Sequence, residues 1–146
     1  MNFHKETIKF ESKIQVEFIN ITDKVVEIIE RSGIRNGQVT IFSQHTTLGL
    51  MINHDEKMLL QDFTNFLYRL APIDQKYSHD LFEIKKVNKG DGRSNGHSHC
   101  KAILIGSSET VPISKGKMIL SDAQSILAVE LDGSRQRDVV IHIMGQ

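Results

Sequence analysis

Asn95-Gly96-His97-Ser98-His99-Cys100-Lys101-Ala102-Ile103-Leu104-Ile105 is the stretch on which the fold assignment turns. Two imidazoles and a thiol stand within four residues, and an apolar run follows Lys101. A polar loop running into consecutive apolar residues reads as the entry to a buried β-strand. On a strand, alternate side chains share a face, so His97 and His99 would point the same way, about 7 Å apart at the backbone. Two imidazoles on one face suit a single metal ion or a single anionic ligand. Cys100 would fall on the opposite face, where a buried structural thiol is the plain expectation.

Downstream of this stretch the pattern is strand after strand. Residues 101–106, 110–113, 117–120, 125–131 and 138–144 are apolar or alternating, and Ser114-Lys115-Gly116 and Asp132-Gly133-Ser134 supply turns. Upstream, residues 71–96 show little periodicity and end in the glycine-rich Lys89-Gly90-Asp91-Gly92-Arg93-Ser94-Asn95-Gly96. A loop of that length inside a compact domain is usually functional or mobile. Before it, Leu59, Phe63, Phe66 and Leu70 follow helical spacing, widened by Leu60 and Leu67. Asp55 and Glu56 suit the start of that helix, and Pro72 ends it. Strands are predicted at 39–43 and 48–53, joined by Gln44-His45-Thr46-Thr47. A first helix runs from Thr22, in the N-cap position, through Val25, Ile28 and Ile29 to Gly33 as C-cap. Residues 7–19 alternate as one half-buried strand, or as two with a bend near Ser12. The whole predicts one α+β domain over residues 1–146, with mainly antiparallel strands and two main helices.

Composition narrows the classes. The 146 residues carry 18 Lys+Arg against 18 Asp+Glu, so no global field draws nucleic acid or an anionic membrane. No apolar run reaches the length of a membrane span. Met1-Asn2-Phe3-His4-Lys5-Glu6 has no signal-peptide core, and the single Cys100 forms no internal disulfide. A cytoplasmic location is the resulting expectation.

Chemistry-bearing residues come next. A catalytic metal usually takes three protein ligands and keeps a fourth position open. His97 and His99 supply two, and His45 or His79, each in a polar loop, a third. His54 is a further imidazole at the start of the second helix. The alternative for each is a surface histidine bonded to water or backbone. His142 lies among Val139, Val140, Ile141, Ile143 and Met144 and reads as a core or interface histidine. The glycine-rich loop is either a flexible solvated loop or a phosphate cradle with Lys89 or Arg93 adding charge, and it lacks the P-loop spacing. Ser43, Thr46 and Thr47 bring hydroxyls beside His45. Glu130, inside an apolar run, is either on the solvent face or buried with a partner. Gln124 shares its face, about 20 Å away along an extended strand.

Several short pieces, in their order and spacing, resemble the YjbQ family, also called UPF0047. They are Asn20-Ile21-Thr22, Phe42-Ser43-Gln44-His45-Thr46-Thr47, Ile52-Asn53, Tyr77-Ser78-His79-Asp80, Asn95-Gly96-His97-Ser98-His99, Val111-Pro112-Ile113, Glu130-Leu131-Asp132-Gly133 and the closing residues 139–145. The resemblance covers nearly the whole chain. It implies an α+β sandwich assembled as a homotrimer, and a His-lined pocket, often with a metal or anion, at positions matching His45, His79, His97 and His99. Members are commonly labelled secondary thiamine-phosphate synthases, which join a hydroxymethylpyrimidine diphosphate to a thiazole phosphate and expel pyrophosphate. Two departures stand out. Ser121-Asp122-Ala123-Gln124 replaces the usual Gly-Thr-Trp-Gln, and His54 replaces a Glu after the Ile-Asn pair.

The expectation is therefore a trimer binding a phosphorylated small molecule or inorganic anion. A divalent ion, zinc first among those suited to imidazole, would sit on the four histidines. Lys89, Arg93, Thr46 and Thr47 would meet the anion. A non-catalytic anion-binding module and a metal-assisted phosphoester hydrolase are the alternatives.

Overall fold

Alternation in the first twenty residues produces two strands that enter different sheets. In the computed structural model, which describes residues 1–85 and 93–146, β1 spans Asn2–Glu11 and β2 spans Glu17–Asn20. The break falls at Ser12, whose buried hydroxyl donates to Glu130 Oε1 at 2.6 Å. Helix α1 (Thr22–Ser32) buries Val25, Ile28 and Ile29 and stops at Gly33, which adopts the left-handed conformation at φ 69°. Thr22 is the first helical residue rather than a side-chain cap: its hydroxyl donates to Asn20 and accepts from the Ile126 N–H. Strands β3 (Gly37–Phe42) and β4 (Leu48–Asn53) follow, then α2 (Lys57–Leu70), where Glu56 caps the Leu59 N–H. After α3 (Ser78–Lys85) and α4 (Gly96–Ile105) come β5 (Ser108–Ser114), β6 (Lys117–Met118), β7 (Ser125–Glu130) and β8 (Gln136–Gly145).

Every strand pairing is antiparallel. One sheet has the order β1-β8-β3-β5-β6 and the other β2-β7-β4. The main core joins the inward residues of both sheets, among them Val39, Ile41, Val139 and Ile141 against Leu50, Ile126 and Ala128, with α1 adding its apolar stripe. The far side of the small sheet is covered as well. Val129 and Leu131 pack with Leu67 and Tyr68 of α2 and with Ala102 and Ile105 of α4. With both faces covered, β7 reads as an unbroken apolar run rather than an alternating one. Among the described residues no helix is long and apolar enough to cross a membrane.

Three expectations are overturned. The strand predicted over 101–106 is the second half of α4, and the unpatterned segment 71–96 contains α3. The reason at α4 is that its buried face is polar. Gly96, His97, Ser98 and Lys101 are buried, whereas Ile103 and Leu104 are 82% and 55% exposed. Cys100 is half-exposed rather than a core thiol. Lys89, Gly90 and Gly92, and the phosphate cradle expected of them, lie outside the described residues.

Candidate functional site

Helical geometry sends His97 and His99 apart, because residues two apart on a helix are not neighbours on its surface. The shared face predicted from a strand is therefore lost. His99 points to a cavity of about 480 Å³ at the mouth of the β3–β4 connection, where His45, Thr46, Ile103 and Ser107 also form the wall. His45 is oriented by β8: its Nε2 lies 3.0 Å from Asp138 Oδ1 and 3.3 Å from the Asp138 backbone N–H. Among the described residues no carboxylate, ammonium or guanidinium group lines this cavity.

His79, on α3, meets His99 edge to face, with ring centroids 4.7 Å apart. Its Nε2 lies 3.1 Å from Asn95 Oδ1, and Asn95 donates from Nδ2 to Asp132 Oδ2 at 2.9 Å. Asp132 is almost wholly buried and takes a 2.8 Å ion pair from Arg135. Arg93 donates to the backbone carbonyls of Asp132 and Ser134. Arg93 thus braces the turn after β7 and is not part of the cavity wall.

His97 joins a different cluster. It is buried, with Nδ1 2.7 Å from Lys101 Nζ and its ring stacked near Tyr68. Lys101 is fully buried, donates to the Ala71 carbonyl at 2.8 Å and sits 4.3 Å over the Tyr68 ring. Burial pushes the Lys101 ammonium down to about 8. Burial, and then the neighbouring Lys101 charge, holds the His97 imidazole below its ordinary value. Neither Lys101 nor its pairing was visible in the sequence reading.

Thr47 is also diverted. It is buried, and its hydroxyl and carbonyl both accept from Arg137 Nη2. Arg137 in turn grips the fully buried Glu130 at 2.8 Å and 2.6 Å. Glu130 is thus buried with a partner. Burial alone would raise its carboxyl, but Arg137 and Ser12 hold it below the usual carboxylate range. His54 bonds the Ala123 carbonyl on the surface, and His142 is half-buried on the outer face of the large sheet, 5.9 Å from the Phe3 ring.

Of the four nominated imidazoles, two therefore share one cavity, His79 stands against His99 outside the wall, and His97 faces elsewhere. Among the described residues no group of three His, Cys, Asp or Glu side chains is placed to hold a metal ion. The arrangement offers two oriented rings and the hydroxyls of Ser43, Thr46 and Ser107 to one small ligand. The partners that orient the rings, Asn95, Asp132 and Asp138, were missed because each is far away along the chain.

The family model described as UPF0047 protein YjbQ-like matches residues 6–146. A UPF0047 protein of Methanothermobacter thermautotrophicus is 36% identical over the full chain and 95% of its own length. One from Archaeoglobus fulgidus is 39% identical over 87% of this chain and 90% of its own. Among solved structures, a YbjQ-like protein of unknown function from Sulfolobus solfataricus P2 superposes with a TM-score of 0.90 at 29% identity, covering 99% of both chains. An uncharacterised yjbq/upf0047 protein from Clostridium acetobutylicum gives 0.84 at 30% identity, over 95% of this chain and 99% of its own. On sequence and fold together, the chain belongs to the YjbQ-like UPF0047 family.

Proposed function

We propose that the chain binds a phosphorylated small molecule or an inorganic anion in the cavity walled by His45 and His99. The observation that carries this reading is the meeting of two oriented imidazoles and the hydroxyls of Ser43, Thr46 and Ser107 on one cavity whose described wall holds no carboxylate. Such a wall repels no anion, and its hydroxyls donate hydrogen bonds, as do its imidazoles when protonated. The test is calorimetric titration of metal-free protein with phosphate, pyrophosphate and a phosphate monoester. His45→Ala and His99→Ala are expected to weaken binding by about 10-fold, taking one hydrogen bond to a charged group as roughly 1.5–3 kcal/mol. His54→Ala, outside the cavity, serves as the unchanged control. Equal affinities for all four proteins would remove the reading.

The catalytic form of the proposal is the family resemblance's reaction, thiamine-phosphate synthesis. Pyrophosphate release only when pyrimidine diphosphate and thiazole phosphate are both supplied supports it. Phosphate release from generic esters without an acceptor supports a hydrolase instead, and binding without turnover a binding module.

A divalent ion, zinc first, is the second reading. It is favoured by the carboxylate at His45 Nε2, since ligating histidines commonly give one nitrogen to a carboxylate and the other to the metal. His79 and His99 are the companions, and the three rings must turn onto one point. Elemental analysis of untreated protein, followed by zinc titration of the three alanine variants, tests it. The proposal also includes a homotrimer, built on the outer face of the large sheet.

A further inference from the structure

We propose that Asp132, Asn95 and His79 form a positioning relay for His99, holding His79 as its Nε2–H tautomer and fixing that ring in its near-perpendicular contact with His99. The first step is the fixed direction of the Asn95 amide. Asp132 is a buried carboxylate in an ion pair with Arg135, so it offers acceptors only. The group facing it 2.9 Å away must then be the amide nitrogen of Asn95. That leaves the Asn95 oxygen toward His79, and His79 Nε2, 3.1 Å away, must be the donor. In the neutral ring the lone pair therefore sits on Nδ1.

The ends of the relay are anchored. Gly96, next to Asn95, gives its N–H to Asp80 Oδ1 at 2.9 Å, tying α4 to the helix that carries His79. His79 and His99 stand at an interplanar angle of 77°, so a turn of the first ring displaces the second. His99 is the member that reaches the cavity wall. None of the other three touches the ligand space, and each acts through its neighbour. For its effect on ligand binding the inference rests on the anion reading above. The tautomer assignment stands without it.

The experiment is nitrogen-15 NMR of the His79 ring in full-length protein above the imidazole titration range, paired with phosphate titration. The wild type is expected to show Nε2–H at His79. Asn95→Ala is expected to bring in the Nδ1–H form and to weaken phosphate binding by about 10-fold, the lower end of the loss seen when a residue supporting a ligand is removed. Asn95→Asp sets an acceptor-only carboxylate against Asp132, so it breaks that link and is expected to weaken phosphate binding as Asn95→Ala does. An Nδ1–H signal at His79 in the wild type overturns the relay, whatever the variants do. So does a folded Asn95→Ala protein with unchanged tautomer and unchanged affinity. If the wild type binds no phosphate, the anion reading fails, and the tautomer result alone decides the relay.

Discussion

Lys101 shows how far one residue departs from what its type suggests. It is fully buried, and among the described residues no carboxylate lies within ion-pair distance. Its ammonium leans on a carbonyl, an imidazole nitrogen and an aromatic face, which compensate only part of the lost hydration. The sign of the resulting pH dependence follows directly. With a folded value of about 8 against 10.5, the native state binds fewer protons than the unfolded chain between those limits, so stability rises with pH there. The full swing is at most about 3 kcal/mol, at 1.36 kcal/mol for each unit. Above pH 10 the half-buried Tyr68, whose hydroxyl is held high by loss of hydration, works in the opposite direction. Urea midpoints at pH 7.5 and 9.5 are expected to rise for the wild type and to stay level for Lys101→Met. His97 adds a second slope with the same sign. Its value is lowered, so stability falls as the pH drops through 6.5, and His97→Gln is expected to flatten that acid limb.

At the scale of the element, α4 is held by contacts that its sequence conceals. A Cβ at Gly96 would stand 2.5 Å from Tyr77 Cβ, so the first turn of the helix needs glycine. Gly96→Ala is expected to destabilise by about 1–3 kcal/mol, the usual cost of overpacking, read as a lower urea midpoint. Strand β7 is pinned at its end by Glu130 and Arg137. Glu130→Gln, which leaves the guanidinium buried without its charge partner, is expected to cost about 3–5 kcal/mol. Helices α1 and α2 and most of the strands were legible because their buried faces are apolar and periodic. Helix α4 was not, because it turns His97, Ser98 and Lys101 inward and Ile103 outward, the reverse of the pattern that reveals a helix. The same limit applies to the site. Composition nominated His45, His79 and His99, but their partnerships with Asp138 and Asn95 span 93 and 16 residues, and the bond from Asn95 to Asp132 spans 37. Only the antiparallel registers and the α3–α4 packing bring those groups together.

For the whole molecule, the five-stranded sheet poses a question of coverage. One face of it enters the main core. On the other, the register places Phe3 beside Met144, Lys5 beside His142 and Thr7 beside Val140, with Thr40 and Phe42 opposite His142 and Val140. Phe3 is 64% and Phe42 42% exposed, while Val140, His142 and Met144 are half-buried. His142 stands at the middle of this face between Lys5 and Thr40, with Phe3 and Met144 on one side of it and Val140 and Phe42 on the other, a mix of apolar and polar groups that suits a protein interface. Among the described residues, the edge strand β1 pairs with β8 over its whole length and with no strand on its other side. Three copies close a ring through a heterologous contact, in which this face of one protomer meets a different surface of the next. A stable contact of this kind buries about 800 Å² per partner, which the outer face of β1, β8 and β3 would have to supply. Sedimentation equilibrium at micromolar concentration is expected to give three times the chain mass. Val140→Glu, placing a charge beside Phe42 on this face, is expected to shift that mass toward the single chain while circular dichroism stays native. A wild-type monomer at the same concentration would exclude the assembly, and a Val140→Glu protein that keeps the trimeric mass would move the interface away from this sheet.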